Sequence, residues 1–380
     1  MRISIALAIY VSLAAGAFAQ APGTPERTTA NKPARSQQAK AWQHTYQTWR
    51  ANPAGSPFPV IAAGNLAGVY RAEGNYTEAE RLLREAQTAP SISLNSGDLN
   101  SRAMIQNALA DLLREEGKGE EARQMFRASL QIEGLSWQPR MHAIVGLADC
   151  DRTLGDREAS EAGWNEALKV AREHRDDQAE AIALRGLAML WVDAGNLARA
   201  EPLLRRSLKM MENNPSTPGE QLATALFATG ELYRTQNKLA LAEDAWSRAL
   251  QIERTELGDS HPQVASVMVM LADVYSARGE SGVARDYATR ASEIMRDVFG
   301  DNSIPAAAAL ANRAMVEQRA NNLQAAADDY ERALGIAQGH PESRSIERVM
   351  MQRYALLLKA MHRGREAKAL DAGVAYFRPK

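Results

Sequence analysis

A column of small residues returns along this chain at a near-constant interval. Ala67, Ala110, Ala148, Ala188, Gly230, Ala272, Ala314 and Ala355 lie 38 to 43 residues apart. A second small column follows twelve residues behind it: Ala79, Ala122, Ser160, Ala200, Ala242, Ala284, Ala326 and Ala367. Tiny side chains at two fixed points let paired helices approach closely, and large residues one turn away fill the gaps left between them. A fixed period of this length predicts stacked helix pairs. Each unit then touches only its neighbours, so 380 residues do not require two or three globular domains.

The fifth unit displays the skeleton. Its first helix carries Leu226, Gly230 and Tyr233, Asn237 sits at the turn, and its second helix carries Leu239, Ala242, Trp246, Ala249 and Leu250. The first unit repeats it as Leu66, Ala67, Tyr70, Gly74, Tyr76, Ala79, Leu83 and Ala86, and the second as Leu109, Ala110, Leu113, Gly117, Ala122, Phe126 and Leu130. The sixth has Leu271, Ala272, Tyr275, Gly279 and Ala284. A Gly or Asn at the turn predicts a left-handed residue that ends the first helix. The third, seventh and eighth units depart from the pattern, with Asp151, Arg313 and Asp371 where large apolar residues belong. Turn chemistry at 90–100 and 213–219 predicts loops that bulge between units.

Residues 58–377 thereby resemble the tetratricopeptide repeat (TPR) family. The later units look similar to its kinesin-light-chain subtype, through the linker Leu257-Gly258-Asp259-Ser260-His261-Pro262. Phe299-Gly300-Asp301 with Pro305, and Gly339-His340-Pro341, match that linker in part. The resemblance implies an all-α, right-handed superhelical solenoid of about eight helix-turn-helix repeats. It also implies that the first helix of each repeat lines a concave groove for a protein or an extended peptide.

The N-terminus has the pattern of an export signal. Arg2 is followed by an apolar run from Ile3 to Leu13, and Ala17-Phe18-Ala19 forms an A-x-A site before Gln20. Residues 1–19 are expected to be removed near Ala19/Gln20, leaving a periplasmic or extracellular protein with no integral membrane span. An uncleaved anchor is the alternative. Residues 20–38, rich in Pro, Thr, Ala and basic residues, are expected to be a disordered leader. Within 39–57, Trp42, Tyr46 and Trp49 fall on one helical face before Asn52 to Pro57 breaks the helix. That helix is expected to cap the first repeat.

Composition bounds the function. The chain is 45% apolar and 24% charged with a formal net charge of -1, which argues against bulk attraction to nucleic acid or to an anionic membrane. One cysteine, Cys150, excludes an internal disulfide framework, and it sits in an otherwise aliphatic column, as a buried small hydrophobe would. The six histidines form no HExxH pair, no Gly-rich phosphate loop follows a strand, and no G-x-S-x-G elbow occurs. The adjacent acids Asp176-Asp177 and Asp328-Asp329 point to different sides of a helix. No catalytic residue, cofactor or metal site is expected, and the chain does not read as an enzyme.

The first helices carry a polar pattern. Asp111, Asp149, Glu231 and Asp273 stand one residue past the small column, and Arg71, Arg114, Arg152, Arg234 and Lys359 stand four past it. These residues allow two readings. One is a row of exposed i,i+3 ion pairs, each contributing roughly 0.2–0.5 kcal/mol. The other is a mixed-charge peptide groove. By the family resemblance, the groove set is Asn65, Arg71, Asn107, Arg114, Arg152, Arg185, Arg234, Asn312 and Lys359, with Asn65 and Asn312 in the N-x-A pattern. The expected function is non-catalytic protein or peptide binding. The alternatives are a structural or assembly subunit that docks or self-associates through solenoid ends, and an accessory subunit of an enzyme.

Overall fold

The computed structural model describes residues 43–44, 46–47, 58–72, 75–88, 96–340 and 344–376. The export signal and the leader lie outside these residues, as does most of the capping helix; of the latter, 43–44 and 46–47 are helical and Tyr46 is buried. Sixteen helices follow in pairs: α1 Phe58–Ala72 with α2 Tyr76–Thr88, α3 Ser96–Glu115 with α4 Gly119–Leu130, α5 Trp137–Leu154 with α6 Arg157–Glu173, and α7 Asp177–Asp193 with α8 Leu197–Asn213. The remaining pairs are α9 Gly219–Thr235 with α10 Leu239–Leu257, α11 Pro262–Ala277 with α12 Ser281–Phe299, α13 Ile304–Arg319 with α14 Leu323–Gln338, and α15 Arg344–Ala360 with α16 Gly364–Tyr376. No strand occurs among the described residues. The architecture is an all-α helical repeat solenoid. Its helices cluster into two compact units, one built on residues up to His261 and the other on residues from Pro262 onward.

The period in the sequence is the period of the packing. Every member of both small columns is buried. The residue seven positions past the first column is left-handed in each of seven repeats: Gly117, Gly155, Gly195, Asn237, Gly279, Asn321 and His362. That conformation turns the chain from the odd-numbered helix of each pair into the even-numbered one. The odd-numbered helices of the middle repeats are buried almost all round, as in α9 and α11, whereas the even-numbered ones bury one stripe, as in α8 and α12. The odd-numbered helices therefore form the inner layer.

Aromatic residues four past the second column set how close the layers come. Trp246 lies on Gly230, where a Cβ would meet the indole Nε1 at 2.5 Å, and its N–H donates to the Phe227 carbonyl at 3.0 Å. Phe126 and Trp164 press instead on the following repeat. A Cβ at Gly146 would lie 2.2 Å from the Phe126 ring, and one at Gly186 2.3 Å from the Trp164 ring. Ser160, the one polar member of its column, donates its hydroxyl to the Ala148 carbonyl at 2.8 Å.

The departures at 151, 313 and 371 are each answered by an opposite charge. Buried Asp151 faces Arg123 at 3.5 Å and Arg127 at 3.8 Å. Arg313 makes a two-pronged pair with Asp329 at 2.5 and 2.7 Å, and Asp371 meets Lys359 at 2.8 Å. The expected loop at 90–100 is shorter than its sequence suggests, because α3 begins at Ser96. Ser96 and Asp98 suit a first helical turn, and Asn100 Oδ1 accepts the Ser136 N–H at 2.9 Å, tying this end of α3 to the start of α5. Asn214 organises the other loop, accepting the Ser216 N–H on its side chain at 3.0 Å and the Thr217 N–H on its carbonyl at 2.9 Å.

Candidate functional site: the inner face of the first helices

Charged residues along α1, α3, α5 and α7 build two linked clusters in the unit that ends at His261. Arg71, in the last turn of α1, grips Glu115 of α3 through Nε and Nη2 at 2.6 to 3.0 Å, and its Nη2 lies 3.8 Å from Glu220 of α9. The His261 Nε2–H donates to the Arg71 carbonyl at 3.2 Å. The second cluster starts at His142 of α5, which donates from Nε2 to Asp111 at 2.6 Å. Arg114 bridges Asp111 at 3.5 Å and Asp149 at 3.1 Å. Arg152 continues the chain to Asp149 at 3.2 Å and to Asp193 of α7 at 2.5 Å.

The link is a regular one. An arginine four past the small column reaches an acid on the next repeat: Arg71 to Glu115, Arg114 to Asp149, Arg152 to Asp193. The exposed-pair reading is corrected here. Arg114 is only 1% exposed and Asp149 4%, so these are buried, inter-repeat bonds as well as i,i+3 pairs. Buried ionic networks add little net stability over apolar packing, but removing one partner costs about 3–5 kcal/mol.

Burial and pairing move the ionisable groups in opposite directions. Burial opposes the charge on Arg71, but Glu115 and Glu220 outweigh it and hold the guanidinium above its ordinary range. Burial drives the Glu115 carboxyl up to about 7, against the pull of Arg71 and Arg114. Burial also works against ionisation of Asp111, yet His142 and Arg114 prevail and keep it below the usual carboxylate range. Burial, reinforced by Glu115, raises the Tyr76 phenol. Cys150 is fully buried, and burial pushes its thiol up, which makes it an inert core residue.

The nine groove residues fall into three groups. Arg71, Asn107, Arg114 and Arg152 come together on α1, α3 and α5. Asn107 is fully buried and donates to the Pro139 carbonyl of the next repeat at 2.9 Å. Asn65, Arg185 and Arg234 are half-buried on α1, α7 and α9, and Arg234 holds Glu231 at 2.5 and 2.9 Å. Asn312 and Lys359 belong to the other unit. Asn312 donates to the Ala308 carbonyl of its own helix at 2.9 Å, and Lys359 pairs with Asp371. Sequence reasoning did not single out Glu115, Asp193, His142 or Glu220. A signal for two of them existed, since Glu115 and Asp193 both stand five past the small column.

On this face Asn107 Oδ1 and Arg152 Nη2 have no hydrogen-bond partner among the described residues. One is an acceptor and the other a donor, and both are buried. Among the described residues, no group of three or more His, Cys, Asp or Glu side chains could hold a metal ion. No helix there is long and apolar enough to cross a membrane.

The paired helices, the two buried small columns and the ion pairs passed from repeat to repeat define a helical repeat scaffold. Two family models match successive stretches of it: the tetratricopeptide repeat over residues 58–133 and the MalT-like TPR region over residues 136–309. The chain belongs to the tetratricopeptide repeat family. No curated protein sequence matches it. Among solved structures, a Rap protein complexed with Competence and Sporulation Factor is similar over 91% of this chain and 98% of that chain, at 10% identity and a TM-score of 0.64. NprR in complex with its cognate peptide NprX is similar over 83% of this chain and 88% of that chain, at 11% identity and a TM-score of 0.55. BtubC (BKLC) from P. vanneervenii aligns with 59% of this chain and 94% of that chain, at 20% identity and a TM-score of 0.49. At these identities the likeness concerns the fold.

Proposed function

We propose that this protein is a non-catalytic scaffold that holds an extended peptide, or an extended segment of another protein, against the inner face of its first helices. The observation that carries this reading is the commitment of that face to buried charge. Buried ion pairs such as Arg114 with Asp149 add little stability over apolar packing, which favours a positioning role for them. Two proteins of similar fold were solved as complexes, the Rap protein with Competence and Sporulation Factor and NprR with its cognate peptide NprX. Arg185 and Arg234, half-buried on successive inner helices, are the side chains placed to meet the peptide's own side chains.

Peptides selected by phage display on the purified chain, with affinities measured by calorimetry, test this reading. Arg185→Ala with Arg234→Ala should weaken binding roughly tenfold or more, while Lys368→Ala on exposed α16 should leave it unchanged. Equal affinity in all three proteins rejects the inner face as the site.

The same proposal includes export, which rests on residues 2–19, and a kinesin-light-chain-like character for the later repeats, which rests on the linker at 257–262. N-terminal sequencing of the protein recovered from cells should begin at Gln20. A second reading, self-association through the last repeat, is favoured by Leu356, which is 62% exposed on α15. Sedimentation velocity at increasing concentration distinguishes a monomeric binder from an assembling one.

A further inference from the structure

A separate surface lies where the inner helices turn into their outer partners. Trp191 stands three residues past the small column, near the end of α7. Two guanidiniums lie over its indole, Arg157 at 4.9 Å and Arg199 at 4.6 Å from the ring centroid. Arg157 opens α6 and Arg199 lies in the first turn of α8, so the two flanking outer helices each contribute one. One repeat further on, Tyr233 occupies on α9 the place that Trp191 holds on α7, and Lys238 Nζ lies 5.9 Å from its ring.

The two arginines on this edge are uncommitted, Lys238 lies in the field of Glu201, and the acids beside them other than Glu158 are engaged. Among the described residues, neither Arg157 nor Arg199 meets a carboxylate, and each lies over the indole. Asp156 caps α6 by accepting the Ala159 N–H at 3.2 Å, and Asp193 is held by Arg152. Glu201 accepts from Gln236 at 2.8 Å and pairs with Arg205 at 2.9 Å. Glu158, in the first turn of α6, is the remaining acid next to Arg157. Both arginines stand at helix starts, where the backbone dipole disfavours a cation, so they do not serve the stability of their helices. The dipoles of α6 and α8 add to their positive field.

A guanidinium that lies over an indole and meets no carboxylate still has N–H donors for a two-pronged bond to a planar anion. Trp, Tyr and Arg are also the side chains that dominate binding energy at protein interfaces. A chain of net charge -1 has no long-range pull on a polyanion such as nucleic acid, whereas a short acidic segment needs only these local cations. We propose that the edge formed by Arg157, Trp191, Arg199, Tyr233 and Lys238 binds an acidic peptide segment. Its carboxylates dock on the three cations and its chain lies across the two rings. This surface shares no residue with the inner face and does not depend on the function proposed for it.

The test uses the full chain and a fluorescein-labelled ten-residue peptide of alternating Glu and Ala, followed by anisotropy at low salt. The wild type should bind saturably. Arg157→Glu with Arg199→Glu, and separately Trp191→Ala, should each weaken binding by roughly tenfold or more. Arg157→Lys with Arg199→Lys keeps the charge and loses the planar fork, so it should fall between. Because Trp191→Ala removes packing, Arg157→Gln with Arg199→Gln provides a variant on exposed positions whose melting curve should match the wild type. The proposal is overturned if the Gln pair binds as the wild type does, if the wild type shows no saturation up to about 1 mM peptide, or if a labelled deoxythymidine decamer binds more tightly than the peptide.

Discussion

Asp151 shows how a single residue can break a repeat pattern without breaking the repeat. Its column holds Tyr70, Leu113, Trp191, Tyr233 and Tyr275 in other units; Asp151 is buried as Leu113 is, while the four aromatic residues are half-buried. Arg123 and Arg127 reach it from α4, yet burial outweighs them and its carboxyl lies above the usual range. The native state therefore takes up this proton more readily than the unfolded chain does. The stabilisation is fully present below the unfolded value of about 3.9 and is lost as pH rises through the raised native value. Asp151→Asn should gain on the wild type in urea melts as pH is raised from about 4 to about 7. A constant gap across that range would show that Asp151 does not report on folding. The substitution itself was visible in the sequence, but its two arginine partners were not, because they come from a different helix pair.

At the scale of the helix pair, glycine and aromatic side chains set the spacing. Gly186 and Gly230 lie under Trp164 and Trp246, whereas Gly335, in the last turn of α14, has nothing within 4 Å of where a Cβ would stand. The same change should then have opposite signs. Gly186→Ala should destabilise by about 1–3 kcal/mol through overpacking. Gly335→Ala should stabilise by about 0.5–1 kcal/mol, because it removes backbone freedom from the unfolded chain at no steric cost. Thermal melts of the two variants give the comparison, and a loss at Gly335 would mean that α14 packs more tightly there than its open surroundings indicate. The helix pairs were legible from the twelve-residue offset of the two small columns. The contacts of Phe126 and Trp164 with the next repeat were not, since a helical period fixes a face without naming the helix that covers it.

Across the array, the inter-repeat ion pairs make neighbouring repeats interdependent. Arg114 ties α3 to α5 through Asp149 and pairs with Asp111 on its own helix, so Arg114→Met would take a partner from two buried acids and should cost about 3–5 kcal/mol. In a solenoid that loss stays near its origin. Amide hydrogen exchange should rise in α3 and α5 and remain at wild-type rates in α13 to α16. A uniform rise along the whole chain would show instead that the array unfolds as one block.

The amino-acid sequence alone determined the repeat, its phase and its family, because close packing of paired helices requires small side chains at fixed intervals and those intervals can be counted. It also marked the inner-face charges, since helical geometry places residues one and four past the small column on one side. Only the tertiary structure decided that Arg71, Arg114 and Arg152 reach acids on the following repeat and that Arg114 lies out of water. It likewise decided that Arg157 and Arg199 lie over Trp191 without a carboxylate. Such partners come from helices tens of residues apart, and which of them meet depends on how successive pairs stack.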